Sequence, residues 1–330
     1  MLTRFAVLAL SVLITSAAAA APRVVAIASF GEHPALQEVI DGMKASMSTR
    51  GFKEGQDVAY TFSHVNWERN LIPQMLGKVA SDRPAVIVTI TTPVTQTAVR
   101  AIGESGIPIV FSAVQDPVVA GVIPNWTTPS KIMTGASNLV DMDGTLGFIK
   151  TLLPGAKRLG LPFNPGDDAD NALRARLVEF APRHGLELVP VAVDNTNDLP
   201  QRMQAFAGKV DAIYVIPSNL FQPVTSQIAA LTARMKIPTF NGLPAPIVKG
   251  EMLGSYSVDW KKIGAHTAAI VERVLGGRQR RPQPVADLAR PRATGQRVVQ
   301  QRDGVVGALH RPPHRRVLLI EPLRPVAQVH

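Results

Sequence analysis

The chain of 330 residues contains no cysteine. This absence excludes disulfide bonds, thiolate metal sites, a cysteine nucleophile and lipid attachment through an N-terminal cysteine. Long apolar runs are also missing, because a helix that spans a bilayer needs about 20 apolar residues and the run at residues 5–14 has only ten. We therefore expect a protein that is neither a lipoprotein nor held in a membrane by a helix.

Local signatures of catalysis and of cofactor binding are absent from the sequence as well. The seven histidines are scattered without the H-E-x-x-H spacing of zinc proteases. Neither a G-x-S-x-G elbow nor a G-x-x-x-x-G-K-[ST] phosphate loop occurs, and no G-x-G-x-x-G follows the first apolar run. We predict that the protein is not an enzyme and uses no cofactor or metal. An exported α/β hydrolase with a triad assembled from distant residues is the enzymatic alternative.

Positive charge is unevenly spread, although the whole chain carries a formal charge of +10. Residues 278–330 hold 11 arginines, no lysine, no aromatic residue and only three acidic residues. The basic character therefore belongs to this tail, which we predict to be poorly ordered. We hypothesise that the tail is translated in a shifted reading frame of GC-rich DNA. The competing interpretation is a basic arm for a membrane or a nucleic acid.

The N-terminus has the order of a secretory signal peptide at residues 1–21. Arg4 precedes the short apolar run, and a series of alanines follows it. We predict cleavage near Ala20 or Ala21 and a location in the periplasm. An export signal here leaves no place for the DNA-binding helices of a regulator, so we expect no nucleic-acid partner.

From Val24 onward, short runs rich in valine and isoleucine alternate with amphipathic segments. This alternation predicts βαβ units and mostly parallel sheets. It occurs in both halves, with strands at residues 24–28, 58–62, 85–90 and 108–111, then 158–163, 186–191, 211–216, 237–240 and 253–258. A last helix is predicted over 260–275. The fold class is therefore α/β, with two Rossmann-like lobes.

The segments that follow the strands are polar but hold no arginine or lysine. Ligands of open α/β sheets bind beyond the carboxyl ends of the strands, where helices begin. A phosphate or a dicarboxylate would lack its usual cationic partner here. A single carboxylate can be held by helix N-termini with Thr91 and Thr92, and an amine can pair with Asp116 or Glu32. Ordinary surface turns are equally polar, so each residue taken alone can also be structural.

Several segments in this order resemble the tryptophan/tyrosine-type substrate-binding proteins of ABC transporters, which are relatives of the type I periplasmic binding proteins. The similar segments cover residues 22–277 and include ASFGEHPALQEVIDGM from Ala28, ITTPVTQTA from Ile90, IPIVFSAVQDPVVAGV from Ile107, FNPGDDADN from Phe163 and GKVDAIYV from Gly208. Pro162 and Ser218 depart from the family pattern, which has a β-branched residue and an acidic or amide residue at these positions.

The resemblance implies two lobes that close on a ligand about a hinge. Lobe 1 would comprise residues 22–120 plus 257–277, lobe 2 residues 135–256, and the crossover residues 121–134. The ligand would be a small zwitterion such as an aromatic or apolar amino acid, and the partner a membrane permease with a cytoplasmic ATPase. We expect a monomer. A binding protein that serves a sensor instead of a permease has the same sequence features.

The ligand-binding residues implied by this resemblance lie at strand ends in both lobes. They are Ser29, His33, Thr91, Thr92, Gln96 and Asp116 in the first lobe, and Asn164, Ser218, Asn219 and Asn241 in the second.

Overall fold

The structure is a computed structural model that describes residues 21–126 and 133–276, together with the backbone of two strands farther on. The predicted signal peptide and most of the arginine-rich tail lie outside these residues. Two segments of the tail are described, because residues 296–299 and 318–320 form short strands. The rest of the tail, which we predict to be poorly ordered, lies outside the described residues.

Twelve strands and nine α-helices alternate along the described residues. The strands are β1 (Arg23–Ser29), β2 (Val58–His64), β3 (Val86–Ile90), β4 (Ile109–Val114), β5 (Met133–Ser137), β6 (Arg158–Phe163), β7 (Glu187–Ala192), β8 (Ala212–Val215), β9 (Thr239–Asn241), β10 (Gly254–Ser257), β11 (Gln296–Val299) and β12 (Leu318–Ile320). The helices are α1 (Pro34–Thr49), α2 (Ile72–Ser81), α3 (Thr92–Ala101), α4 (Met142–Leu152), α5 (Asp168–Phe180), α6 (Leu199–Gln204), α7 (Thr225–Arg234), α8 (Ala245–Val248) and α9 (Trp260–Leu275).

The strands form two sheets, one with the order β2-β1-β3-β4-β5 and one with the order β12-β11-β10-β9-β8-β6-β7. All pairings of the first sheet are parallel. The second sheet is parallel from β7 to β10 and becomes antiparallel at β11 and β12. The prediction of an α/β fold with two mostly parallel sheets is therefore confirmed.

Helices cover both faces of each sheet, which explains why central strands such as β1, β3 and β4 are mostly apolar and buried along their length. On β1, Val25 and Ile27 pack toward α1 and α9, whereas Ala26 and Ala28 pack on the opposite face toward α2 and α3. Successive side chains of a strand point to opposite faces, and both faces are buried here. The second sheet repeats this arrangement with its own two buried clusters.

Pro162 lies inside β6 without disturbing its neighbours. The pairing of β6 with β7 runs through Pro162 and Val191, but the pairing of β6 with β8 covers only Leu159 and Gly160. The ladder that would require an N–H from residue 162 thus ends before the proline. A strand tolerates proline at a position where no backbone N–H has to donate to a neighbouring strand.

The chain passes between the sheets at β5 and again before α9. Strand β5 pairs with β4 through Ser137, so the chain leaves the first sheet after Ser137. Helix α9 follows β10 of the second sheet and packs on α1 of the first. Gly264 permits this close packing, since a Cβ there would lie 2.1 Å from the Val39 carbonyl oxygen. The lobe boundaries given above stay a prediction.

Candidate functional site

A narrow gap of about 380 Å³, including the solvent at its mouth, lies where the carboxyl ends of both sets of strands meet. One side, which we call the first wall, follows β1, β3, β4 and β5 and consists of His33, Leu36, Thr91, Thr92, Ala113, Gln115 and Asn138. The other side, the second wall, consists of Ala169, Pro217, Asn219, Gln222 and Leu243, and Trp260 of α9 completes the lining. The gap thus occupies the position at which parallel α/β sheets bind ligands.

Helix starts cluster at the gap. His33 and Thr91 are the N-caps of α1 and α3, Ala169 lies in the first turn of α5, and Trp260 begins α9. Helix N-termini carry partial positive charge and suit an anionic group. The lining includes no lysine, arginine, aspartate or glutamate. The gap therefore offers helix ends and neutral polar groups instead of fixed charges.

Thr91 is held in a conformation that a threonine rarely adopts. Its backbone has φ 81° and ψ 157°, a region used almost only by glycine. Its side chain is 4% exposed, and its Oγ1 has no hydrogen-bond partner among the described residues. Backbone strain of this kind costs on the order of 1–3 kcal/mol, and an unsatisfied buried polar group costs about as much again. Both costs fall on one residue of the first wall.

A bulge in β4 places a second strained residue in the same wall. The register of β4 and β5 shifts between Ser112 and Val114, and Ala113 between them has φ 54°. Ala113 lines the gap. Gln115, two residues after Ala113, also lines the gap, and its backbone N–H donates to Thr92 Oγ1 at 3.4 Å.

His33 is a neutral ring at this site. Its Nδ1 accepts a hydrogen bond from the Ala35 N–H at 3.2 Å, which caps α1 and leaves the ring proton on Nε2. Burial lowers the pKa of His33 to about 4. The ring stacks on Trp67 at 5.7 Å between centroids. Gly31 makes room for that indole, because a Cβ at residue 31 would lie 2.2 Å from Trp67 Cε2.

The second wall is supported by two buried carboxyl groups in the first turns of α5. Asn219 Nδ2 donates to Asp167 Oδ2 at 3.0 Å, and Ser218 Oγ donates to Asp170 Oδ2 at 2.8 Å. Asp170 also accepts from the Asn164 N–H at 2.8 Å. Burial, followed by the neighbouring Asp167 carboxylate, raises the pKa of Asp170 well above its usual range.

Two contacts connect the parts of the molecule on either side of the gap. Gln96 Nε2 of α3 donates to Asp168 Oδ2 of α5 at 2.8 Å. Arg69, which precedes α2, lies 3.9 Å from Asp167 Oδ2. The N-terminal end of α5 therefore touches the elements of the first sheet.

Four of the ten residues named from the sequence line the gap, namely His33, Thr91, Thr92 and Asn219. The other six lie near it with partners of their own. Ser29 Oγ donates to Gly31 O, Gln96 joins Asp168, Asp116 Oδ1 accepts from the Val118 and Val119 N–H groups, Asn164 Oδ1 accepts from the Gly166 N–H, Ser218 joins Asp170, and Asn241 Oδ1 accepts from the Leu243 N–H. Whether any of the ten binds a ligand stays a prediction.

Sequence reasoning did not single out Gln115, Asn138, Asp167 or Asp170. Gln115 and Asp167 stood in the strand-end segments considered, so their position was the available signal. Asn138 lies outside the strand-end segments considered, because the short strand before it has the weak sequence MTGAS. Asp170 lies inside a helix, and its burial depends on Ser218, which is 48 residues away.

Two features that would indicate other functions are absent from the described residues. Within residues 21–126 and 133–276 no three histidine, aspartate or glutamate side chains are arranged to hold a metal ion. No helix in the part of the chain that the structure describes is long and apolar enough to span a membrane.

Comparisons with known proteins agree with this architecture. A tyrosine-binding protein of Clostridioides difficile (strain R20291) is 27% identical over 267 residues, which cover 80% of this chain and 76% of that protein. The ligand-free, open structure of a substrate-binding protein with adhesive properties from Clostridium difficile has 25% identity and a TM-score of 0.65, covering 91% of this chain and all of that one. A domain from Streptococcus pneumonia in complex with L-Trp has 22% identity and a TM-score of 0.77 over 84% of this chain and 92% of its own, a likeness of fold.

The same fold is found in an ABC transporter solute binding protein from Bacillus halodurans, which is 14% identical with a TM-score of 0.58, a likeness of fold alone. The model of the family described as ABC transporter substrate binding protein matches residues 24–294. The chain therefore belongs to this family, whose members bind solutes and are not enzymes. The match ends within the arginine-rich segment, beyond the start predicted for the atypical tail.

Proposed function

We propose that this protein captures a small zwitterionic solute, an aromatic or apolar amino acid, in the gap between its two sheets. The observation that carries the proposal is Thr91, which keeps a buried hydroxyl without a partner on a strained backbone at the start of α3. Strained residues cluster at ligand sites, and an unpaired buried hydroxyl beside a gap can hydrogen-bond to a ligand there. A solute carboxylate at this helix end would supply it without any cationic side chain.

The choice of an amino acid rests on the lining and on the relatives. The lining has neutral polar groups together with Leu36, Pro217, Leu243 and Trp260, which suit an apolar side chain. One similar protein is a tyrosine-binding protein, and a protein of the same fold was crystallised with L-Trp. A phosphorylated or dicarboxylic solute would lack a cation in this gap.

Capture by closure of two lobes is the mechanism we infer. The contacts of Asp167 and Asp168 with Arg69 and Gln96 join the two sides of the gap and would break when the lobes separate. The protein would be exported by its signal peptide, act in the periplasm as a monomer, and deliver its solute to a permease with a cytoplasmic ATPase.

A thermal-shift screen of the mature full-length protein against amino acids, small peptides and sugars tests capture. A ligand at 100 times its dissociation constant stabilises the folded state by about 2.7 kcal/mol, and we expect this effect from L-tyrosine or L-tryptophan. A folded sample that no amino acid stabilises would contradict the proposal.

Delivery to a permease is tested separately by uptake of labelled amino acid in cells that lack the gene. Loss of high-affinity uptake supports an importer. Normal uptake combined with loss of a transcriptional response to the same amino acid would instead support service to a sensor.

A further inference from the structure

Asn138 lies at the point where the chain leaves the first sheet, directly after β5. Its backbone N–H donates to Val114 O at 3.2 Å. The Gln115 amide, oriented so that both of its ends are satisfied, donates to Asn138 O at 3.2 Å and accepts from the Val140 N–H at 3.1 Å. The backbone of Asn138 is therefore fully engaged, and the residue is fixed in place.

Neighbouring hydrogen bonds make this segment rigid. Ser137 Oγ donates to Gln115 O at 3.0 Å and accepts from the Leu139 N–H at 3.0 Å. These hydrogen bonds fix the backbone from which the Asn138 side chain projects.

The side-chain oxygen of Asn138 is the part of this network that remains unused. The residue is 6% exposed and lines the gap, and Oδ1 has no hydrogen-bond partner among the described residues. A carbonyl oxygen only accepts hydrogen bonds. A partner from outside the chain must therefore be a donor, and leaving this atom unsatisfied costs free energy when the gap is closed.

We infer that Asn138 Oδ1 accepts a hydrogen bond from the ammonium group of the solute. The lining holds no carboxylate that would bind a cation instead, and the two acids considered from the sequence are placed elsewhere. Asp116 accepts from its own turn, and Glu32 is exposed beside His64. This inference rests on the proposed capture of an amino acid, and it makes Asn138 a residue that selects solutes with a primary amine.

Calorimetric titrations with L-tyrosine and with desaminotyrosine, the analogue without the amino group, test the inference. We expect the wild-type protein to bind L-tyrosine about tenfold to a hundredfold more tightly than desaminotyrosine, because a hydrogen bond to a charged group contributes about this much to affinity. Asn138→Ala should remove this preference by weakening L-tyrosine alone. Asn138→Asp keeps the acceptor oxygen and should bind L-tyrosine at least as tightly as the wild type.

A matched control is Asn197→Asp, which adds the same charge at an exposed asparagine away from the gap and should change neither affinity. Equal weakening of both compounds by Asn138→Ala would overturn the inference, and so would loss of L-tyrosine binding in a folded Asn138→Asp variant, because the amide nitrogen would then be the contacting atom. A wild-type protein that binds neither these compounds nor any other amino acid would refute capture itself, and the inference with it.

Discussion

The two walls of the gap satisfy their polar groups in different ways. The polar side chains of the second wall have partners behind it, since Asn219 donates to Asp167 and the neighbouring Ser218 donates to Asp170, whose other carboxyl oxygen Oδ1 has no partner among the described residues. The first wall leaves Thr91 Oγ1 and Asn138 Oδ1 without described partners and includes strained backbone at Thr91 and Ala113. Because the unpaired side-chain atoms that line the gap belong to the first wall, our proposal is that this wall recognises the solute and that the second wall closes over it.

The largest expected effect on stability comes from replacing Asp170, which supports the second wall. Asp170→Ala leaves the Asn164 N–H and the Ser218 hydroxyl without their acceptor, and each unsatisfied buried donor costs about 1–3 kcal/mol. Asp170→Asn keeps an acceptor oxygen and should retain most of the stability. Urea denaturation of both variants measures the difference, and equal stability of the two would contradict this role for Asp170.

Comparison of Asp170→Asn with the wild-type protein tests whether Asp170 titrates. The raised pKa of Asp170 means that the folded chain holds its proton more tightly than the unfolded chain. The contribution of this group is therefore fully present below the unfolded pKa and is lost as the pH rises through the folded pKa. Asp170→Asn should show a flatter dependence of unfolding free energy on pH between these limits. An unchanged dependence would show that Asp170 does not titrate in this range.

A smaller effect is expected when the support of the first wall is disturbed. In Gly31→Ala the new Cβ would lie 2.2 Å from Trp67, so the indole must move away from His33. Overpacking of this kind costs about 1–3 kcal/mol, and ligand affinity should fall as well. Gly77→Ala in α2 is the control, because nothing lies within 4 Å of a Cβ there. A Gly31→Ala variant as stable as this control would argue against the tight packing.

The smallest expected effect comes from removing a single hydroxyl of the first wall, that of Thr91. Thr91→Val keeps the shape but removes the unpartnered Oγ1, so the free protein should gain about 1 kcal/mol of stability while its affinity for L-tyrosine falls about tenfold. Thr91→Ser retains the hydroxyl and should bind like the wild type. Thermal unfolding and calorimetry of the two variants provide the measurements. Unchanged affinity in Thr91→Val would remove Thr91 from the recognition surface.

The architecture was predictable from the sequence because buried parallel strands and amphipathic helices have distinct periodicities. Strand β6 and helix α9 begin and end at the predicted residues. The position of the gap was predictable for a related reason, since parallel strands present their carboxyl ends at one edge. Of the residues implied by the resemblance, His33, Thr91, Thr92 and Asn219 line this gap, and their binding of a ligand stays a prediction.

Long-range partners limited the prediction of individual roles. The sequence does not show that Asn241 is buried and that its Oδ1 accepts from the Leu243 N–H. Asn138 falls in the predicted second lobe, because nothing in its local sequence shows that β5 joins the first sheet. The positive φ of Thr91 is likewise imposed by the surrounding fold, since threonine does not favour it.

The most direct test of the central claim is a crystal structure of the protein grown with L-tyrosine. Our account predicts the amino acid in the gap, with its carboxylate at Thr91 and the start of α3 and its ammonium group at Asn138 Oδ1. An amino acid bound elsewhere, or one in the gap that leaves both Thr91 Oγ1 and Asn138 Oδ1 without a partner, would contradict it.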